Sequence, residues 1–191
     1  MKYVEPRKIE LNDRTITTFM YTDKSCVERV DYQDGRKKEL FPKFKNGNVW
    51  KWGASSFFGM FNEKYLNSSG TLLIAEGEKC ADLISRMGLL CVSPPMFGWN
   101  HGYLTNFFVH PLIHNIIFLP DNDEPGKKKA NMVIDATNCV KKASLIFPTD
   151  EWMTDEDVFD LHTRGIDVKS MIEEYGKRIS TVSGRIDCTS K

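Results

Sequence analysis

The chain has 191 residues, 41% hydrophobic and 27% charged, a balance that fits a globular protein and excludes a disordered polyelectrolyte. Its 26 basic residues are matched by 26 acidic ones, so no global positive field draws in nucleic acid and any such site must be a local patch. Cys26, Cys80, Cys91, Cys139 and Cys188 are scattered without a C-x-x-C pair, which excludes a zinc ribbon in this sequence and fits a reducing, intracellular location. There is no signal peptide and no apolar run near the ~20 residues of a membrane helix, so no membrane partner is expected.

Residues 1–70 read as a small β-rich element. Thr15–Tyr21 and Val27–Tyr32 are predicted strands. Asp34-Gly35 predicts a hairpin into Lys37–Phe44, and Asn46-Gly47 a second one into Asn48–Trp52. Arg36, Lys37, Lys38, Lys43, Lys45 and Lys51 stand here among Phe41, Phe44, Trp50 and Trp52. Bases stack on rings while lysines follow phosphates, so this mixture suits single-stranded nucleic acid. It also suits an ordinary twisted hairpin with rings on one face and solvated lysines on the other. Ser55–Leu66 reads as a short helix or turn, and Asn67-Ser-Ser-Gly70 as a boundary.

From Thr71 the pattern alternates. Leu72–Ala75 is a short apolar run of the kind buried on both faces of a parallel sheet. It stops at Glu76-Gly77-Glu78, after which Cys80, Leu83, Ile84 and Met87 recur at helical spacing. Leu89–Val92 is the next predicted strand. The glycine-bearing loop Gly98-Trp-Asn-His-Gly102 leads to a short helix near Tyr103–Val109. Strand Asn115–Leu119, helix Glu124–Val140 with Pro125 in its first turn, and strand Ala143–Phe147 follow. The inward stripe of that helix is expected at Ala130, Val133, Ile134, Thr137 and Val140. Asp150–Asp160 is an acidic stretch, Val168–Tyr175 a last helix and Ile179–Lys191 a tail. Strands alternating with helices predict an α/β fold, a mainly parallel Rossmann-like sheet flanked by helices and preceded by the β-rich element. The expected divisions are 1–70, 71–165 and 166–191.

Two strand ends carry carboxylates: Glu76 after Ala75, and Asp121 and Asp123 after Leu119. Ligands of open α/β sheets bind at that edge. Asp121 and Asp123, one residue apart at a strand end, can converge on one cation, and Mg²⁺ is commonly held by one or two carboxylates plus substrate phosphates. Glu76 is a further ligand or an acid/base beside the metal. The plain alternative is that both aspartates cap the following helix.

Glu76-Gly-Glu-Lys-Cys-Ala-Asp82 and Pro120-Asp-Asn-Asp-Glu-Pro-Gly126 resemble the two signature motifs of the Toprim domain, found in bacterial primases, phage primase-helicases, topoisomerases and some nucleases. The resemblance is greatest to the Toprim segments of phage and plasmid DNA primases. Asp157-Val-Phe-Asp160 is similar to a trailing Asp-x-x-Asp of those proteins. Asp34-Gly-Arg-Lys, Phe41-Pro-Lys and Trp50 are similar to the segment that precedes Toprim there.

The resemblance implies that Glu76 is the acid/base residue and that Asp121 and Asp123 hold Mg²⁺, with Mn²⁺ as a substitute. Glu76, Asp157 and Asp160 complete the implied metal set. Lys79, Lys127 and Lys128 are the implied phosphate contacts, with Lys129 beside them and Glu78 and Asp82 in supporting places. Arg36, Lys37, Lys43, Lys45, Lys51, Trp50 and Trp52 make the implied nucleic-acid surface. Solvated helix lysines and an ordinary acidic loop are the plain alternatives.

Related primases usually carry a zinc ribbon upstream, and many a helicase downstream. Neither is in this sequence, so a fragment, a subunit of a larger assembly or a stand-alone Toprim protein is expected, with a replicative helicase as candidate partner.

Three functions remain in view. The first is Mg²⁺-dependent primer synthesis from nucleoside triphosphates on single-stranded DNA. The second is phosphodiester cleavage. The third is a non-catalytic nucleic-acid-binding subunit of a replication or defence assembly. Glu-Gly-Glu-Lys and the upstream β element favour the first, and the missing zinc ribbon the third.

Overall fold

The computed structural model describes residues 3–53, 59–66, 70–147 and 152–183. An antiparallel sheet is formed in chain order by β1 (Arg7–Glu10), β2 (Arg14–Thr22), β3 (Ser25–Tyr32), β4 (Glu39–Asn46) and β5 (Val49–Trp52). A second sheet, wholly parallel, contains β6 (Gly70–Ala75), β7 (Cys91–Val92), β8 (Ile113–Leu119) and β9 (Ala143–Ile146) in the order β7-β6-β8-β9. The helices are α1 (Glu78–Arg86), α2 (His101–Phe108), α3 (Glu124–Cys139), α4 (Val158–Thr163) and α5 (Val168–Ser183).

The apolar runs explain the layers. Leu72, Leu73, Ile74 and Ala75 of β6 and Ile116, Ile117, Phe118 and Leu119 of β8 are all buried. Alternate residues of these central strands feed opposite faces. Leu73, Ala75, Ile117 and Leu119 meet α1, α4 and α5 on one face. Leu72, Ile74, Ile116 and Phe118 meet α2 and α3 on the other. Phe19, Tyr21 and Val27 of the antiparallel sheet join the first of these cores, so the two sheets share buried surface across α1. Ala75 pairs with Leu119 in register. Glu76, one residue beyond Ala75, and Asp121, two beyond Leu119, therefore leave the sheet close together.

Several elements differ from expectation. Strand β1 was not anticipated, because its four residues are exposed and carry no alternation. Asp34-Gly35 does turn the chain, with Gly35 at φ 79°, but β4 starts only at Glu39. Helix α4 starts within the expected acidic stretch and runs three residues past it, and it starts there because Asp157 and Asp160 form a reciprocal cap. Helix α5 runs on to Ser183, which corrects the expected tail from Ile179. No proline interrupts it, and Gly176 alone costs only ~1 kcal/mol. In α3 the buried stripe is Gly126, Ala130, Val133, Ala136 and Thr137, whereas Ile134 is exposed. The readings at Ser55–Phe58, Asn67–Ser69, Asp150, Glu151 and Cys188 lie outside the described residues. No helix among the described residues is long and apolar enough to cross a membrane.

Candidate active site

The ends of β6 and β8 bring Glu76 and Asp121 together. The backbone N–H of Asp121 donates to Glu76 Oε2 at 3.3 Å. Gly126 makes the neighbouring turn tight: a Cβ there would run into the carbonyl oxygen of Asp121. Only glycine lets the first turn of α3 close so near the strand end. Asp123 is the N-cap of α3, its Oδ1 accepting from Gly126 N at 2.6 Å. The capping reading of Asp123 therefore holds, and its charge still acts on Asp121.

Asn122, between the two aspartates, brings in a third element. Its side-chain amide donates to the carbonyls of Trp152 and Met153, both at 3.0 Å. Its backbone N–H donates to Glu156 O at 2.8 Å and its carbonyl accepts from Asp155 N at 2.9 Å. Buried Glu156 adds an ion pair to Arg164 at 2.7 Å and accepts from Met153 N. These bonds hold segment 152–157 against the end of β8 and carry Asp157 to Asp121.

Ligand atoms of Cys80, Asp121 and Asp157 all lie within 4.8 Å of one another. Asp157 also caps α4, with Oδ1 accepting from Phe159 N at 2.7 Å and Asp160 N at 3.0 Å. Asp160 returns the cap, its Oδ2 accepting from Asp157 N at 3.1 Å. Its carboxylate thus faces backbone and lies outside the Cys80–Asp121–Asp157 group.

Burial raises the Asp121 pKa to about 7, and the charges of Glu76, Asp157 and Asp123 push it the same way. Lys129 opposes them. Its ammonium pairs with Glu76 and lies 5.4 Å from the centre of the Trp99 ring. No hydrogen-bond donor among the described residues reaches the Asp121 carboxylate. Three acids acting on a fourth that has no donor, with one half-buried lysine opposing them, fit a hard divalent cation. The Cys80 thiol fits less well, since burial pushes its pKa well above the ordinary thiol value and a thiol is a poor ligand for a hard ion.

The other expected residues are placed differently. Lys79 lies over the Phe159 ring, 3.5 Å from its centre, in a groove beside Asp31, Asp82 and Arg86 rather than with Glu76. Glu78 accepts from the buried Tyr21 hydroxyl at 2.6 Å and ties α1 to the antiparallel sheet. Asp82 accepts from Tyr3 and from Arg86. Lys127 pairs with Glu124 at 2.9 Å, and Lys128 is exposed.

On the antiparallel sheet, Lys43 faces Trp52 and Lys45 faces Trp50 across β4 and β5. Phe41 is on that face too, 4.8 Å from Trp52 in a T-shaped contact. Phe44 and Lys51 form the opposite pair. Lys43 is bound to Glu28 at 2.6 Å, and Arg36 to Asp34 at 2.8 Å. Arg36 also covers the Tyr32 ring, while Lys37 is exposed.

Sequence reasoning missed the wall opposite the acids. A cleft between the sheets is lined by Glu76 and Asp121 on one side and by Arg29 and Lys38 on the other. Met96, Phe97 and Trp99 close one end. Lys129 did leave a signal: it stands four residues before Val133 and seven before Ala136, on the face they bury.

No protein-family model and no curated protein matches the sequence. Solved structures do. One is a chain from the structure of bacteriophage T7 lagging-strand DNA polymerase interacting with primase domains of two gp4 subunits bound to an RNA/DNA hybrid and dTTP. It matches at 17% identity and TM-score 0.52, over 84% of this chain and 80% of that one. The primase fragment of the bacteriophage T7 primase-helicase protein matches at 16% identity and TM-score 0.55, over 87% and 64%. The DnaG catalytic core matches at 15% identity and TM-score 0.56, over 85% and 53%. At these identities the likeness is one of fold. The chain spans most of the first of these structures and just over half of the last.

Proposed function

We propose that this chain carries the catalytic centre of a DNA primase of the Toprim type, a Mg²⁺-dependent nucleotidyl transferase that makes primers on single-stranded DNA. The observation that carries this reading is the half-buried Asp121 carboxylate, without a hydrogen-bond donor among the described residues and set among Glu76, Asp123 and Asp157 at the carboxyl edge of the parallel sheet. The fold shared with primase fragments supports it.

Asp121 and Asp157 would hold the ion, with Glu76 joining them once Lys129 moves away. Mn²⁺ would substitute. Bound Mg²⁺ supplies neutralisation of phosphate charge and a lowered pKa for an attacking hydroxyl. Glu76 is the residue placed to take a proton beside it, and the Lys129 ammonium, released, faces the anionic substrate. Asp123 holds α3 in place, and Asp157 and Asp160 hold α4. In this reading 71–165 is the Toprim unit, 1–70 the template-side element and 166–191 the closing helix. Exposed Trp50 and Trp52, with Lys45 on the same face, would meet single-stranded DNA, and Lys51 lies on the opposite face with Phe44. A replicative helicase would be the partner, inside the cell.

The test is incorporation of labelled nucleoside triphosphates on single-stranded DNA with Mg²⁺ or Mn²⁺, run beside a nuclease assay. Primer synthesis that disappears in Glu76→Gln supports the reading. Cleavage without synthesis would make the chain a Toprim nuclease instead.

A further inference from the structure

We propose that the cleft between the two sheets is a nucleoside-triphosphate site whose base lies against Met96 and Phe97, in the loop that follows β7. This rests on the primase reading and adds to it the residues that hold the base. The loop leaves β7 at the same sheet edge as Glu76, one strand away. It is a rigid platform. Pro94 and Pro95 are buried, and Gly98 N donates to Pro95 O at 2.6 Å. A Cβ on Gly98 would lie 2.9 Å from Pro95 and 3.0 Å from the Tyr103 ring, so the turn is packed to its limit. Trp99 is fixed against Phe118, ring centres 5.4 Å apart.

On this fixed turn Met96 and Phe97 remain 64% and 40% exposed. Both line the cleft that holds Glu76 and Asp121. Two large apolar side chains held outward beside half-buried carboxylates form a functional pattern more than a scattered one. A flat ring and a polarizable thioether are good surfaces for a base, and they accept any base because each has a π-face.

The opposite wall supplies charge. Arg29, whose side chain is 15% exposed and pairs with Asp31 at 2.8 Å, is fixed in direction. Lys38 is exposed and makes no ion pair among the described residues. The cleft thus presents carboxylates for a cation, two cationic groups for phosphates and a shelf for a ring. A metal-bound nucleoside triphosphate needs all three. A bare polyphosphate needs only two of them.

That difference is the test. Calorimetry in Mg²⁺ compares ATP, UTP and inorganic tripolyphosphate on wild type, on the Met96→Ala/Phe97→Ala double variant and on Asp121→Asn. Wild type should bind ATP and UTP about tenfold more tightly than tripolyphosphate. The double variant should lose that preference while keeping its tripolyphosphate affinity and its melting temperature. Phe97→Tyr should retain the preference, and Asp121→Asn should weaken all three ligands alike. Equal binding of ATP and tripolyphosphate by wild type, or a preference that survives in the double variant, overturns the base site and leaves the primase reading to its own assay. If none of the three binds wild type and no primer is made, the primase reading falls and this proposal falls with it.

Discussion

In the antiparallel sheet Arg29 meets Asp31 at 2.8 Å, Lys43 meets Glu28 at 2.6 Å and Arg36 meets Asp34 at 2.8 Å. At the carboxyl edge of the parallel sheet, the charges of Glu76, Asp123 and Asp157 converge on Asp121, and the ammonium of Lys129, paired with Glu76, opposes them. The first arrangement pairs its charges where water still reaches them, so each pair contributes little. The second concentrates like charges in a partly buried place, which costs stability unless a cation arrives. A fold retains such a cost where a ligand relieves it. The contrast is the reason function is proposed at the parallel edge, and each of the following measurements tests it.

The largest effect is expected from Asp121→Asn. It removes charge with hardly any change in volume, so the fold should persist while the proposed primer synthesis falls about a thousandfold, the several kcal/mol that a metal contributes to phosphoryl transfer. A variant that retains wild-type rates would remove Asp121 from the chemistry.

Next comes pH. The folded pKa of Asp121, about 7, lies above the ~3.9 of an unfolded aspartate. Between these values the folded protein holds a proton that the unfolded chain has released. The contribution to stability is therefore complete below pH ~4 and is lost as pH rises through 7. Without metal, wild type should be less stable than Asp121→Asn at pH 8 by on the order of 2 kcal/mol, discounted for partial exposure, and the gap should close at pH 4. Mg²⁺ should raise the melting temperature of wild type at pH 8 and leave the variant nearly unchanged. Parallel stability curves for the two proteins from pH 4 to 8 would show that the acids are not in conflict.

Lys129→Met sharpens the comparison further. Loss of the one ammonium should lower the metal-free melting temperature. It should also raise Mg²⁺ affinity roughly tenfold, because Glu76 no longer has a competitor and one repulsive charge has gone. A fall in affinity would mean that Lys129 helps to build the site.

The smallest effects belong to the antiparallel sheet. Lys43→Met should change stability by under about 1 kcal/mol by denaturant titration. If the outer face carries single-stranded DNA, replacing Lys45 by alanine should reduce the slope of log affinity against log salt by about 0.7, and replacing Lys51, on the opposite face, should leave it unchanged. An unchanged slope would assign that face to packing alone.

Much of this was legible in the residues because it was local. Leu72–Ala75 and Asn115–Leu119 announced buried strands by their unbroken apolar runs, and both are strands here. Pro125 and the Asp-Asn-Asp ahead of it announced the start of α3, and Gly126 has a steric reason to be glycine. The antiparallel element was legible from Asn46-Gly47, whose turn has Gly47 at φ 62°. Helix α4 was legible too, since Asp157 and Asp160 are spaced as a cap ahead of Val158 and Leu161. Their charge suits a cation equally, so the two acids by themselves leave a cap and a metal site undistinguished.

What only the tertiary structure decided is which side chains meet across elements. Cys80 stands on α1, Asp121 at the end of β8 and Asp157 ahead of α4, and no sequence period links them. Their meeting depends on the bonds of Asn122 to segment 152–157. Among three consecutive lysines, the direction of α3 sends Lys129 to Glu76 and leaves Lys127 and Lys128 on the outer side. Period 2 splits the basic hairpin between two faces, so Lys43 and Lys45 turn outward, while Lys38 and Arg29 line the cleft. Propensity and turn chemistry act over a few residues and can be read in order along the chain. The cleft is made where two sheets pack, and packing is a property of the whole chain at once.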